Sequence, residues 1–415
     1  MLSSRHPSDS TKIVWPIVLL LMCFLPINLT NANFVFFNKS ITIIAIFIAA
    51  YVSSDRVPVA VRMVCASFFV VISSSIQILL PVLPGPDAVR FHSLIDGGFT
   101  ELFMQAASHF QLDALPFIPS TYFFPLLLST IASGSLSSRP ETISLYNGIL
   151  VFWMAGEWIR LLAQTNRPLL SKKKFLLIVY IVITCNFSII YWSSVFNKDI
   201  TALTLTVAAV SLALDRRFFS AIFVLLIATF VRNYAIAMAV AFYVFFVGDR
   251  RLQVAALSIA VSVLLVLSVR ESAILINSLF FFIYIFLSPN PAQPNNWKLT
   301  SSESSWDTSP VLFTIEGMAF GAILVLGVLF LLISAKRRRF ELSSLLISSF
   351  ILASVLTLVG HDVVASRNEM EYGLLVFGDN IVLKKLIAWP LVCTFAGLVV
   401  HRLLVASVGQ RPIQV

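Results

Sequence analysis

The chain alternates long apolar runs with short basic segments, and this alternation constrains the fold more than any other feature. A helix that crosses the hydrocarbon core of a bilayer needs about 20 mostly apolar residues, and about 12 stretches approach that length. They are residues 13–29, 38–53, 63–83, 145–163, 175–192, 198–214, 218–232, 234–248, 252–269, 311–333, 342–360 and 384–403. The sequence therefore predicts an all-α, polytopic integral membrane protein with about 12 transmembrane helices, in a single membrane-embedded domain over residues 1–415.

Composition excludes the main alternatives to a membrane protein. Of the 415 residues, 58% are hydrophobic and only 12% are charged, which is about half the charged share of soluble globular proteins. A soluble chain of this length could not bury so much apolar surface, so a soluble enzyme, a disordered chain and a secreted disulfide scaffold are excluded. The four cysteines all lie in apolar stretches without metal-ligand spacing, so we expect no metal site. No Walker A or GxGxxG motif is present, and we expect no cofactor.

The basic residues indicate how the chain is oriented in the membrane. They form short runs between the apolar stretches at Lys172–Lys174, Arg216–Arg217, Arg250–Arg251 and Lys336–Arg339. Basic loops favour the cytoplasmic side of a membrane, so the formal net charge of +9 reports orientation and not a nucleic-acid partner. Both termini are predicted to be cytoplasmic.

Two apolar stretches, 117–131 and 274–287, are short for a full crossing. The basic runs that flank each stretch must both be cytoplasmic. We therefore expect these two stretches to dip into the membrane from its outer face and return, or to lie along that face. The larger outer regions are then 84–144, 270–310 and 361–383. The short cytoplasmic loops leave no room for a nucleotide-binding domain, so any chemistry is expected at the outer face.

The first candidate site follows the turn Pro84-Gly85-Pro86. Asp87 and Arg90 are three residues apart, and His92 follows, so an acid, an arginine and a histidine are predicted at the membrane surface. Such a set can supply a base and a phosphate clamp. The alternative is an interfacial amphipathic helix in which Asp87 is only the N-cap.

Two further candidates lie at predicted outer helix ends. Lys198 and Asp199 open one span, where the carboxylate suits the helix dipole and the lysine can hold a phosphate. Arg232 lies at the tip of the tight hairpin formed by 218–232 and 234–248, close to membrane depth. The alternatives are a capped boundary pair and a snorkelling arginine.

The last candidate is the loop that contains His361, Arg367 and Glu371. Arg367 can bind a pyrophosphate through two parallel hydrogen bonds, and His361 or Glu371 can act as a base. A solvated outer loop is the alternative. By contrast, Glu157 and Arg160 are three residues apart near an inner helix end, and we interpret them as a structural pair.

The chain resembles the Wzy-type polysaccharide polymerases of bacteria and, more broadly, GT-C-type membrane glycosyltransferases. The resemblance rests on the architecture over nearly the whole chain and on two local motifs, Asp87-xxx-Phe91-His92 and Asn197-Lys198-Asp199. The resemblance implies a periplasmic-face enzyme that polymerises oligosaccharide repeats carried on a polyprenyl pyrophosphate. Outer arginines, here Arg90, Arg232 and Arg367, would stabilise the leaving pyrophosphate. The paired carboxylate motif of metal-dependent GT-C enzymes is absent from the sequence.

The resemblance also implies the surroundings of the protein. It places the chain in the bacterial inner membrane, with a polyprenyl-linked oligosaccharide as substrate and a chain-length regulator and other polysaccharide-assembly proteins as partners, and with no nucleic acid. Three alternatives stay open: a GT-C transferase that adds one sugar from a polyprenyl phosphate, a flippase or transporter of lipid-linked oligosaccharides, and a non-enzymatic subunit of an export complex.

Overall fold

A computed structural model gives the fold, and helix is the regular secondary structure throughout the residues it describes. Those residues are 33–79, 89, 93, 140–165, 167–195, 197–232, 234–270, 273–287, 291, 297, 310–333, 336–365 and 378–409. The helices are α1 (Asn33–Val52), α2 (Val59–Leu79), α3 (Pro140–Gln164), α4 (Lys173–Thr184), α5 (Phe187–Ser194), α6 (Asp199–Leu214), α7 (Phe218–Val231), α8 (Ala235–Val247), α9 (Arg250–Arg270), α10 (Ala273–Leu287), α11 (Pro310–Ile333), α12 (Lys336–Ala365) and α13 (Gly378–Gly409).

The helices confirm a membrane-embedded, all-helical architecture in these ranges. Four of them contain a stretch long and apolar enough to cross a membrane, in α2, α9, α11 and α13, and a bent pair makes a fifth. The total of about 12 crossings stays a prediction. The predicted stretches 13–29 and 117–131 lie outside the described residues. The stretch 274–287 forms α10, whose 15 residues extend about 22 Å, less than the hydrocarbon thickness of about 30 Å.

The predicted span 175–192 is not one continuous helix. It is divided into α4 and α5, whose axes are bent by 43°. Asn186 lies at the break and caps α5, because its side chain accepts a hydrogen bond from the backbone N–H of Ile189 at 3.1 Å. A side-chain acceptor at this position satisfies one of the N–H groups that the first turn of a helix leaves open.

Aromatic side chains fill the core around α3. Trp158 is fully buried, and its ring centroid lies 5.1 Å from that of Phe242 and 4.7 Å from that of Phe246, both on α8. Its indole N–H donates to Thr394 Oγ1 at 2.8 Å, which ties α3 to α13. Gly156 is required on α3, because a Cβ there would lie 1.9 Å from the carbonyl oxygen of Ser53.

Helix α6 separates two ends of the bundle. Its 16 residues correspond to a length of about 24 Å. The end of α5 and the start of α6 lie beside α2 and α3, since Gln77 donates to the Ser194 carbonyl at 3.0 Å and Asn147 donates to the Asn197 carbonyl at 3.2 Å. The basic pair Arg216–Arg217 follows the opposite end of α6.

Candidate functional site

A buried carboxylate organises the N-terminal end of α6. Asp199 is 3% exposed and lies in the first turn of α6, where the helix dipole favours a negative charge. Arg232 Nε donates to Asp199 Oδ1 at 2.5 Å and Arg232 Nη2 donates to Oδ2 at 3.0 Å. This is the bidentate arrangement that matches the guanidinium fork to a carboxylate, and it fixes the orientation of the arginine.

Tyr234 completes the cluster from the start of α8. Its hydroxyl donates to Asp199 Oδ1, and its ring centroid lies 5.6 Å from the guanidinium carbon of Arg232, within cation–π distance. The α7–α8 connection is so tight that Arg232 and Tyr234 reach the same carboxylate. Our sequence analysis gave Tyr234 no role; its position two residues after Arg232 in a short hairpin is the signal that points to it.

The loop before α6 adds polar groups to this end of the bundle. Asn197 Oδ1 accepts from the backbone N–H of Asp199 at 2.7 Å, which fixes the entry into the helix. Asn197 is 7% exposed, and its Nδ2 has no hydrogen-bond partner among the residues that the structure describes. Lys198 is 5% exposed and directly precedes Asp199.

The geometry suits this cluster to anion binding more than to proton transfer. Both carboxylate oxygens of Asp199 accept hydrogen bonds from Arg232, so the contacts of Asp199 are those of a residue that positions the arginine. The Arg232 side chain is 29% exposed, so a ligand can reach it. Among the described residues, Lys198 and Arg232 accompany Asp199 at this end of the bundle. We call Asn197, Lys198, Asp199, Arg232 and Tyr234 the Asp199 cluster.

The structure therefore brings together three of the residues that the sequence nominated. Lys198, Asp199 and Arg232 lie at one end of the bundle, although 33 residues separate Asp199 from Arg232 along the chain. The other nominated residues lie outside the described residues: Asp87, Arg90, His92, Arg367 and Glu371. His361 lies in α12, and its side chain is outside the described part as well.

A second charged cluster lies at the opposite end of α6. Arg160 donates to both oxygens of Glu157, with Nη2 2.6 Å from Oε1, which confirms the predicted structural pair. Its Nη2 also lies 3.4 Å from Asp215 Oδ2 at the end of α6. Ser211 bridges the set, because it contacts both Arg160 and Glu157.

Glu316 is a functional candidate that our sequence analysis did not single out. It lies within the apolar helix α11 and reaches the break between α4 and α5. Its Oε1 accepts from Asn186 Nδ2 and its Oε2 accepts from the backbone N–H of Ser188, both at 2.8 Å. A carboxylate inside a predicted span is itself the signal, since an ionisable residue at membrane depth is expensive to keep there.

We compared the chain with known protein families, curated proteins and solved structures. No protein family matches the chain, and neither a curated protein nor a solved structure shows a significant match. Within the described residues, no group of three or more His, Cys, Asp or Glu side chains is placed to hold a metal ion.

Proposed function

We propose that the protein is a glycosyltransferase that polymerises polyprenyl-pyrophosphate-linked oligosaccharide repeats for a cell-surface or exopolysaccharide. The observation that carries this proposal is the Asp199 cluster, in which a buried carboxylate and a tyrosine hold a partly exposed arginine. A rigidly held arginine at the end of a membrane-embedded bundle is suited to the pyrophosphate of a lipid whose tail stays in the bilayer.

In the proposed reaction the acceptor hydroxyl attacks the anomeric carbon of the donor sugar. The bond from that carbon to the pyrophosphate oxygen breaks, and the lipid pyrophosphate leaves with the bonding electrons. Arg232 and Lys198 stabilise the charge that develops on the leaving group, and Asp199 and Tyr234 hold Arg232 in place without taking a proton. The hydroxyl proton goes to a base of the outer loops, for which Asp87, His92, His361 and Glu371 are the candidates.

The proposal also implies an orientation of the protein in the membrane and a set of partner proteins. The Asp199 cluster faces the periplasm of a bacterial inner membrane, and the basic runs and both termini face the cytoplasm. Arg90 and Arg367 add to the anion site from the outer loops. A chain-length regulator and other polysaccharide-assembly proteins are the expected partners.

The test compares the two arginines at the two ends of α6. Purified wild-type protein, Arg232→Ala and Arg160→Ala are supplied with lipid-linked repeats, and the products are separated by length. We expect Arg232→Ala to lower polymer formation at least about 100-fold, the size of effect seen when a transition-state donor is removed, and Arg160→Ala to retain most of it. Full-length polymer from a folded Arg232→Ala variant would overturn the proposal.

Lipid analysis separates the polymerase from a transferase that adds a single sugar. A strain without the polymerase accumulates complete single repeats on the polyprenyl carrier. A strain without the transferase accumulates a repeat that lacks one sugar. The second pattern would replace the polymerase with the GT-C transferase.

One observation favours a second candidate, a transporter or flippase of lipid-linked oligosaccharides. Transporters often contain helices that are broken at membrane depth, with polar groups at the break. The break between α4 and α5, bound by Glu316, is such a feature. A vesicle assay that follows movement of a lipid-linked repeat across the bilayer discriminates between them, because Glu316→Gln would abolish transport and leave polymerisation measurable.

A further inference from the structure

A buried cation lies in the loop between α3 and α4, at the end of the bundle remote from the Asp199 cluster. Arg167 is 8% exposed, and its Nη2 donates to the Phe245 carbonyl at 2.6 Å in the last turn of α8. Its guanidinium carbon lies 5.0 Å from the Phe245 ring centroid and 5.3 Å from that of Phe340. Burial lowers the pKa of Arg167 to about 10, so the side chain stays charged at neutral pH.

One nitrogen of this cation has nothing to bind within the described structure. Arg167 Nη1 is buried and has no hydrogen-bond partner. Burying a charged donor without a hydrogen-bond partner destabilises a protein, because the group loses its hydrogen bonds to water and gains none in return. A basic residue that only orients the chain would lie in water, so the burial of Arg167 calls for a further explanation.

Further basic side chains converge on the same end of the bundle. Lys172 and Lys174, at the start of α4, and Arg402, on α13, lie close enough to His401 to act on it electrostatically. His401 is 6% exposed, and its Nδ1 has no hydrogen-bond partner in this part of the structure. We call Arg167, Lys172, Lys174, His401 and Arg402 the α4–α13 basic cluster.

Only one carboxylate is seen to face this cluster in the described residues. Glu341, at the start of α12, is 8% exposed and lies within electrostatic range of Arg167, Lys172 and Arg402. Within the described residues, the three cations Arg167, Lys172 and Lys174 outnumber this carboxylate by two.

Apolar surface continues directly from the cluster. Leu403, Leu404 and Val405 follow Arg402 on α13 and are 42%, 54% and 58% exposed. A free inorganic anion would contact only the cations and would leave the apolar surface unused. A phospholipid would use both features, since basic pockets between membrane helices bind anionic headgroups while the acyl chains cover the apolar surface beside them.

We propose that the α4–α13 basic cluster is a binding site for the phosphate of an anionic phospholipid. Arg167 Nη1 donates to a phosphate oxygen from inside the bundle. Lys172 and Lys174 close over the headgroup from the exposed start of α4, and the acyl chains lie along Leu403, Leu404 and Val405. This site is separate from the Asp199 cluster and does not depend on the function proposed for it.

The test uses the purified full-length protein and native mass spectrometry to count retained lipids. Phosphatidylglycerol, phosphatidylcholine and inorganic phosphate are titrated in parallel. The test variant is Lys172→Gln/Lys174→Gln, which changes two exposed side chains. The matched control is Arg216→Gln/Arg217→Gln, which removes the same charge from two exposed side chains between α6 and α7.

We expect the lysine variant to weaken phosphatidylglycerol binding at least about tenfold, since it removes two basic residues that attract the anionic headgroup. The control should change the affinity less than about twofold, because its charges lie elsewhere. Phosphatidylcholine should bind weakly to all three proteins. Equal losses in both double variants would overturn the site, and so would equal binding of the two lipids. Displacement of phosphatidylglycerol by millimolar phosphate would show a free-phosphate site instead.

Discussion

The two ends of α6 carry the same kind of ion pair in two different environments. At one end Arg232 holds Asp199, which is 3% exposed. At the other end Arg160 holds Glu157 and Asp215, whose side chains are 14% and 30% exposed. Both ends pair an arginine with a carboxylate, and the carboxylates differ in burial, so the comparison shows how burial of the carboxylate changes what such a pair can do.

Burial makes the Arg232–Asp199 pair unfavourable to form, and it also makes the loss of either partner destabilising. Removing two charges from water costs several kcal/mol per ion, so a buried pair adds little net stability, yet loss of one partner leaves an uncompensated charge. The carboxylates at the other end are less buried than Asp199, so we expect the pair there to contribute less in either direction. A pair that is kept buried without a stability gain calls for another role, and positioning Arg232 for an anionic ligand is the role proposed here.

The largest contrast is expected from removing the carboxylates. Asp199→Ala leaves Arg232 and Tyr234 without their acceptor, and we expect about 3–5 kcal/mol of destabilisation. Asp215→Ala, at the other end, should cost no more than about 1 kcal/mol. Thermal unfolding in detergent measures both, and similar losses would remove the distinction between the two ends.

A smaller loss of stability is expected when the hydroxyl of Tyr234 is removed. Tyr234→Phe removes a hydrogen bond to a charged group, which is expected to cost about 1.5–3 kcal/mol. Tyr180→Phe is the matched control, because its hydroxyl lies 2.9 Å from the neutral Ser53 Oγ and its loss should cost about 0.5–1.5 kcal/mol. If the control variant proved the less stable of the two, Asp199 would not be the charged acceptor described.

The break between α4 and α5 provides an intermediate case. Glu316→Ala removes the acceptor of Asn186 Nδ2 and of the Ser188 N–H, and we expect about 1–3 kcal/mol of destabilisation. Glu316→Gln keeps one acceptor oxygen and should recover part of that loss. Unfolding temperatures measure the series, and an unaffected Glu316→Ala variant would contradict the contact.

The smallest effect is expected from Arg160→Ala. The three charged groups there are partly solvated, so we expect at most about 1 kcal/mol in detergent. Raising the salt concentration should diminish even this difference, because exposed charges are screened. A loss as large as that of Asp199→Ala would show that this end is as tightly constrained as the other.

Sequence reasoning located the helices well and their contacts poorly. The described helices follow the apolar runs closely, because a membrane helix must be apolar along its whole length. The break at Asn186 was missed because Thr184 to Ser188 interrupt the apolar run with only a few polar groups, and no proline or glycine marks it. Hydropathy averages over such a short interruption.

The Asp199 cluster shows what a linear pattern contains and what it lacks. Lys198, Asp199 and Arg232 could be placed at one end of the bundle from charge and apolar periodicity alone. That Arg232 pairs with Asp199, and that Tyr234 joins them, depends on how the α7–α8 hairpin packs against α6. The position of Glu316 inside a predicted span was visible in the sequence, but its partners Asn186 and Ser188 were not, because they come from a helix break that hydropathy does not reveal.

Binding of polyprenyl pyrophosphate to the purified protein tests the central claim most directly. Wild type, Arg232→Gln and Arg160→Gln are titrated with undecaprenyl pyrophosphate in detergent, and the unfolding temperature of each confirms that it is folded. The account predicts that Arg232→Gln weakens binding at least about tenfold, since charge-assisted hydrogen bonds contribute about 1.5–3 kcal/mol, while Arg160→Gln binds as wild type does. Equal affinity in all three folded proteins would contradict the assignment of Arg232 as the pyrophosphate ligand.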